Sequence, residues 1–247
     1  MDSIAKDPPD ANRLTGVGVL DRSVALLDLL ADGPRSLRWL SDESAIPRPT
    51  AHRLLVALEA HGLVARGAAG LFRLGPRLTE LALRADPVLD LAALAAPVLG
   101  RLHDATGESV QLYVRSGDKR LCVAARDSGT GLRDSVPVGA LLPLAAGSGG
   151  KVLLAWAADA ARFGSVPTAE LAAIRDRGWA ASVAEREPGV ASVSAPVLRA
   201  DGSLAAALCV SGPVSRVGQA PGRRLSARVV AAAAELAAAL PGGPPSS

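Results

Sequence analysis

The chain has 247 residues, a formal net charge of +3, 49% hydrophobic and 21% charged residues; this fits one or two domains with ordinary apolar cores and excludes a disordered chain. No apolar run approaches the ~20 residues of a membrane span. Met1–Asp10 carries three Asp and two Pro, where a secretory leader needs a basic segment followed by an apolar one, so the expectation is a cytoplasmic protein with no membrane contact.

The two cysteines, Cys122 and Cys209, lie 87 positions apart inside apolar runs, which suits buried hydrophobes better than a disulfide or a metal-ligand pair. The three histidines, His52, His61 and His103, form no ligand cluster, and neither a metal nor a cofactor is expected. Between Pro34 and Arg84 eight Arg face four acids, a possible nucleic-acid footprint. The chain holds 24 Arg against three Lys throughout, so on charge alone general arginine abundance is the favoured reading.

Residues 1–15 and 241–247 lack apolar periodicity and read as flexible tails. A first helix is expected with Asp21 as N-cap and Leu20, Val24, Leu27 and Leu30 at helical spacing, stopped by Gly33-Pro34. Ser36 caps a second helix with Leu37 and Leu40 inward, ending near Ala45-Ile46-Pro47. A third opens at Pro49, which tolerates the first helical turn because its missing N–H is unneeded there, and stops at Gly62. Ala51, Leu54, Leu55 and Leu58 face inward, leaving Arg48, Thr50, His52, Arg53 and Ala57 outward. Leu63–Arg66 and Leu71–Leu74 flank Gly67-Ala68-Ala69-Gly70 as a small hairpin.

Three helices followed by a hairpin form the winged helix-turn-helix pattern, expected over 16–75. Its third helix fits a DNA major groove, where Arg53 can pair with a guanine edge and Thr50 can meet a phosphate or thymine methyl. Arg66 and Arg73 on the hairpin would reach backbone or minor groove. The plain alternative is a small helical domain with a solvated charged face.

Residues 76–86 (PRLTELALRAD) read as a linker helix into a second domain over 87–240. There an amphipathic helix places Val88, Leu91, Ala95, Val98 and Leu102 on one face, to about Ala105. Strands follow around Val110, Leu112 and Val114, then Leu121 and Val123. Helices are expected over Ser148–Trp156, Thr168–Arg177 and Leu225–Leu240, and a long hairpin over Val190–Leu198 and Ser203–Ser211. This is an α+β chain whose second domain is a sensor-like α/β fold on an antiparallel sheet, not a repeating βαβ barrel.

The run Gly147-Ser148-Gly149-Gly150-Lys151 fails as a phosphate loop, because Ala145 stands where Gly is required and Val152 where Ser or Thr is required. A Gly/Ser turn opening a helix still offers free N–H groups to a small carboxylate. His103 sits on the predicted first helix of this domain and is no catalytic base there. Glu185 and Glu187, beside Arg186, form no acid/base pair and read as a solvated loop.

The segment VGVLDRSVALLDLLADGPRSLRWLSDESAIPRPTAHRLLVALEAHGLV resembles the winged helix-turn-helix of IclR-type bacterial transcriptional regulators. GSGGKVLLAW, RGWAASVAEREPGVASVSAPV and LCVSGPVSR are similar to three landmark segments of that family's GAF-like effector-binding domain. The likeness runs from Val17 to Leu240. GLRDSVPVG with EREPGVASVSAPV resembles the actinobacterial NdgR/LtbR subgroup, regulators of leucine and other amino-acid biosynthesis.

The resemblance implies DNA contacts at Pro49, Thr50 and Arg53, with Pro49 in place of the family's usual Ser and one phosphate contact fewer. It implies effector contacts at Ser148 and Gly149, at Ser182 and Glu185, and at Ser192, Cys209 and Ser211. Several family members carry an acid at the Ser182 position and Cys at the Ser192 position, so a glyoxylate- or aromatic-type ligand does not transfer. The expectation is therefore a non-enzymatic regulator, a homodimer or dimer of dimers on a pseudo-palindromic double-stranded operator, answering a small, carboxylate-bearing effector. A GAF-like sensor without transcriptional output and a small-metabolite enzyme are the alternatives.

Overall fold

The computed structural model describes residues 15–85, 87–128, 136–164 and 166–241. Most of both predicted tails, and residues 131–135 of the GLRDSVPVG segment, lie outside that set. The chain divides into two compact units, Met1–Asp86 and Pro87–Ser247.

In the first unit α1 (Gly18–Leu30), α2 (Leu37–Ser44) and α3 (Arg48–Ala60) precede a hairpin of β1 (Val64–Arg66) and β2 (Phe72–Leu74), and α4 (Pro76–Ala85) follows. Ser36 caps α2 by accepting the Trp39 N–H at 3.2 Å, satisfying a donor that the helix start would leave open. Two expectations for α1 are corrected. Asp21 is not its N-cap but lies in its first turn, where its carboxylate accepts the N–H and hydroxyl of Thr15; the Thr15 hydroxyl holds that carboxyl below its usual range. Leu20 and Val24 are exposed, and the buried face is Leu26, Leu29 and Leu30. These pack with Leu40, Ile46, Ala51, Leu55, Leu58, Val64 and Phe72 into one core.

The hairpin pairs Val64 with Leu74, Ala65 with Arg73 and Arg66 with Phe72. An unforeseen third line joins it: Arg35, just before α2, bridges Phe72 through two backbone hydrogen bonds of 2.8 Å. Arg35, Phe72 and Arg66 thus stand in one cross-strand row and share a face of the hairpin, while Arg73 lies on the other.

The second unit is a six-stranded antiparallel sheet between two helical layers. Its strands are β3 (Ser109–Ser116), β4 (Lys119–Arg126), β5 (Leu141–Pro143), β6 (Ala180–Val183), β7 (Val190–Leu198) and β8 (Leu204–Pro213), in the order β5-β4-β3-β8-β7-β6. Along one face α5 (Pro87–Thr106) and α9 (Pro221–Ala239) cover Val110, Leu112, Val193, Val197, Leu208 and Val210. Against the other lie α6 (Ser148–Ala155) and α7 (Thr168–Arg177), over Tyr113, Cys122, Ala180, Ala207 and Cys209. A short α8 (Val214–Val217) links β8 to α9. Strands β5 and β6, helix α8 and the first turn of α9 went unforeseen.

Period-2 alternation fixes what the second face carries. Since Val110, Leu112, Val193, Leu208 and Val210 point toward α5 and α9, Gln111, Tyr113, Ser192, Ser194, Cys209 and Ser211 point the other way. A row of hydroxyl, thiol and amide groups therefore lies under α6.

Candidate functional site

On α3 of the first unit, Arg48, Pro49, His52 and Arg53 are exposed and Thr50 is half-buried. Pro47 precedes the helix and Pro49 sits in its opening turn, which contains no acid. Among the described residues Arg48, Arg53 and Arg73 make no ion pair, so these guanidiniums stay available to an incoming anion. Sequence reading missed Val56, 42% exposed on the same face, whose apolar tip suits a thymine methyl.

The hairpin arginines separate. Arg66 stacks over the Phe72 ring at 4.8 Å and donates its Nε–H to Glu59 of α3 at 3.0 Å. It links the hairpin to α3 and remains exposed. Arg73, on the opposite hairpin face, is exposed.

In the second unit a cleft opens at the N-terminus of α6, lined by Tyr113, Arg120, Gly147, Ser148, Gly149, Ser182, Arg186, Glu187, Val190, Ser192, Cys209 and Ser211. Ser148 is its hub: the Oγ lies 2.7 Å from the Ser192 hydroxyl, 2.7 Å from that of Ser194 and 3.8 Å from the Cys209 sulfur. Ser211 donates its hydroxyl to Gln111 Oε1 at 3.1 Å. The free cavity is about 20 Å³, room for about one water.

Close packing explains the glycines. A Cβ on Gly150 would stand 2.1 Å from the Leu144 carbonyl oxygen, and one on Gly149 would stand 3.1 Å from the Tyr113 ring. Gly147 has φ +83°, a backbone that glycine adopts without strain. Beneath this turn Arg120 donates to the Pro143 and Ala146 carbonyls and lies 5.1 Å over the Tyr113 ring.

Six of the seven expected effector positions come together: Ser148, Gly149, Ser182, Ser192, Cys209 and Ser211. Glu185 stands outside the lining. Its carboxylate accepts the Gly147 N–H at 3.2 Å and pairs with Lys151 at 2.6 Å; Lys151 also reaches Glu170 at 3.0 Å. Burial alone would lower the Lys151 ammonium, but hydrogen bonds and charge from the two carboxylates outweigh it and raise its pKa. Glu187 stays exposed in the loop after β6 and forms a 3.3 Å ion pair with Arg186 at the cleft rim. Tyr113, Arg120 and Val190 were missed, although the alternation in β3 marked Tyr113.

No group of three or more His, Cys, Asp or Glu able to hold a metal occurs among the described residues. His103 Nδ1 lies 2.9 Å from the Glu108 carbonyl oxygen, at the end of α5. Among the described residues no helix is long and apolar enough to cross a membrane.

Comparison with known proteins adds identity to this geometry. The IclR helix-turn-helix domain matches residues 19–68, and the bacterial transcriptional regulator IclR C-terminal domain matches 85–163 and 168–238. The HTH-type transcriptional regulator BhcR of Paracoccus denitrificans is 30% identical over 90% of this chain and 86% of its own. The DNA-binding transcriptional repressor YiaJ of Escherichia coli is 29% identical over 85% and 83%. Among solved structures, an IclR homolog from Microbacterium hydrocarbonoxydans complexed with 4-hydroxybenzoate superposes with a TM-score of 0.76 at 25% identity, covering 90% of this chain and all of that one. These families and relatives are transcriptional regulators, not enzymes. The chain belongs to the IclR family of bacterial transcriptional regulators.

Proposed function

We propose that residues 16–75 read a pseudo-palindromic operator, that 76–86 form the linker helix, and that 87–240 bind a small carboxylate that sets operator affinity. Arg53 reads a base edge from α3, Arg48, Thr50 and His52 position that helix on the duplex, and Arg73 holds backbone from the hairpin. One recognition helix spans too few base pairs for genomic specificity, so the working unit is a homodimer or dimer of dimers, acting in the cytoplasm where its operator lies.

The observation that carries the effector reading is the cleft itself, where the opening turn of α6 meets the Ser192, Cys209 and Ser211 face of the sheet. A helix N-terminus favours negative charge. The 4-hydroxybenzoate of the Microbacterium relative is a carboxylate and supports that class. Resemblance to the NdgR/LtbR subgroup supports a branched-chain or sulfur amino acid, or its keto acid, and genes of leucine-type biosynthesis as targets. Such a ligand acts only through different affinities for two arrangements of the reading heads.

The test is genome-wide mapping of bound DNA with and without added leucine or methionine, followed by calorimetric titration of leucine, methionine and 4-methyl-2-oxopentanoate. The expected result is a two-fold site upstream of leucine-type genes with ligand-dependent occupancy. Sites away from amino-acid genes, with occupancy indifferent to all three compounds, would overturn the effector and target assignments.

A further inference from the structure

The net charge of this DNA-binding chain lies away from its helix-turn-helix. Residues 1–86 hold eleven basic and eleven acidic side chains, whereas residues 87–247 hold sixteen and thirteen. Part of that excess concentrates at one end of α9: from Pro213 to Ala234 there are four arginines, Arg216, Arg223, Arg224 and Arg228, and no carboxylate.

The fold gathers these groups. Arg223 and Arg224 lie in the first turn of a 19-residue helix whose opening contains no acid, and Arg228 follows Arg224 by four positions on the same stripe. All three are exposed. Arg224 donates to the Arg216 carbonyl. Arg177 joins from α7: its guanidinium lies 4.4 Å over the Trp179 ring, and that ring packs so tightly on Gly222 that a Cβ there would stand 2.3 Å from it. Among the described residues one carboxylate answers this group directly, Glu108, bound to Arg216 through hydrogen bonds of 2.9 and 2.8 Å; Asp176 neighbours Arg177 in sequence.

Cations in the first turn of a helix oppose its dipole, and each such placement costs a few tenths of a kcal/mol in isolation. Arg223 and Arg224 therefore add to the positive end of α9 where Asp or Glu would favour the helix. Their planar, delocalised charge suits phosphate oxygens. Duplex DNA is the polyanion that this chain already meets as an IclR regulator.

We propose that the first half of α9, with Arg177 and Arg216 beside it, is a second DNA-backbone surface that engages phosphates flanking the operator. It reads no sequence. It lengthens the footprint and adds salt-sensitive affinity.

The test compares full-length wild type with R223Q/R224Q/R228Q on two duplexes: the protected operator core alone, and that core extended by about two helical turns on each side. Wild type should bind the long duplex more tightly, with a steeper salt dependence. In the variant that gain disappears, while binding to the core stays unchanged. Three lost phosphate contacts per engaged protomer shrink the fall in affinity between 50 and 200 mM salt by about 40-fold on the long duplex. An equal gain from the flanks in both proteins, with equal salt slopes, overturns the proposal. So does an equal loss on both duplexes, or a change in sedimentation state, which would assign the arginines to the operator-bound heads or to contact between copies. An unchanged unfolding midpoint in the variant shows that these exposed substitutions leave the fold intact.

Discussion

On α3 the side chains of Arg48, His52 and Arg53 stand in solvent, whereas under α6 Ser148, Ser194, Ser211 and Gln111 are buried and spend their hydrogen bonds within the protein. The first arrangement is ready for a partner, since water solvates those groups until phosphates or base edges replace it. The second is a satisfied polar network, which is costly to half-break in a low-dielectric interior. A ligand entering the cleft must return each hydrogen bond that it displaces. The cleft therefore selects by hydrogen-bond match and by shape, and the α3 face by charge and reach.

The sharpest break of this contrast is Gly150→Ala. Its Cβ would meet the Leu144 carbonyl oxygen at 2.1 Å and Arg120 Nη1 at 2.7 Å, so the α6 turn must shift, at more than about 2 kcal/mol. Thermal unfolding should show a lower midpoint, and the cleft should lose its ligand response. A midpoint equal to wild type would show that the turn is looser than described.

On the solvent-facing side, Arg53→Ala should weaken operator binding by about 1–3 kcal/mol and relax preference at one base pair. Competition binding with operator variants measures both; unchanged base preference would remove Arg53 as a reader. The two hairpin arginines sharpen the contrast within one element. Arg73→Ala should reduce the salt slope of DNA binding by about one, while Arg66→Ala should leave that slope alone and lower stability by no more than about 1 kcal/mol, as for an exposed pair. Equal salt slopes for the two variants would contradict the separation of hairpin faces.

The smallest effect concerns Cys122. Burial, first, and charge on Cys209, second, push its thiol up from 9.0 to about 12. An acid raised on folding favours the native state while its unfolded form stays neutral, and that contribution is lost as pH climbs from about 9 toward 12. At pH 9.5 the loss is below about 1 kcal/mol, and it should be absent in Cys122→Ala. Denaturant midpoints at pH 7.5 and 9.5 for the two proteins measure it; an identical drop in both contradicts the burial account.

The elements legible in sequence were those whose signal is local. Ser36 before α2, the Gly62 stop after α3 and the turn between β7 and β8 announce themselves within a few residues. Asp21 misled because an acid in the first turn and an N-cap look alike until Thr15 is seen on its carboxylate. Leu20 and Val24 kept helical spacing on a face that the first unit's core does not use. Strand β6 is four residues of Ala, Ser and Val, and β5 is three ending in Pro143; neither is long enough to show a period, and both exist because a neighbouring strand offers its edge. The cleft was half legible. Its serines were implied by family likeness, while Tyr113, Arg120 and Val190 arrive by strand pairing between distant segments, and the withdrawal of Glu185 toward Lys151 depends on α6 and α7 packing side by side.

The central claim is that occupancy of the cleft and occupancy of the operator are coupled. It is tested most directly by measuring the Kd of leucine or 4-methyl-2-oxopentanoate for the free protein and for the protein saturated with operator. Coupling predicts that the two values differ by the same factor by which the ligand changes operator affinity, because linkage is reciprocal. Tight ligand binding with one Kd in both states would contradict it.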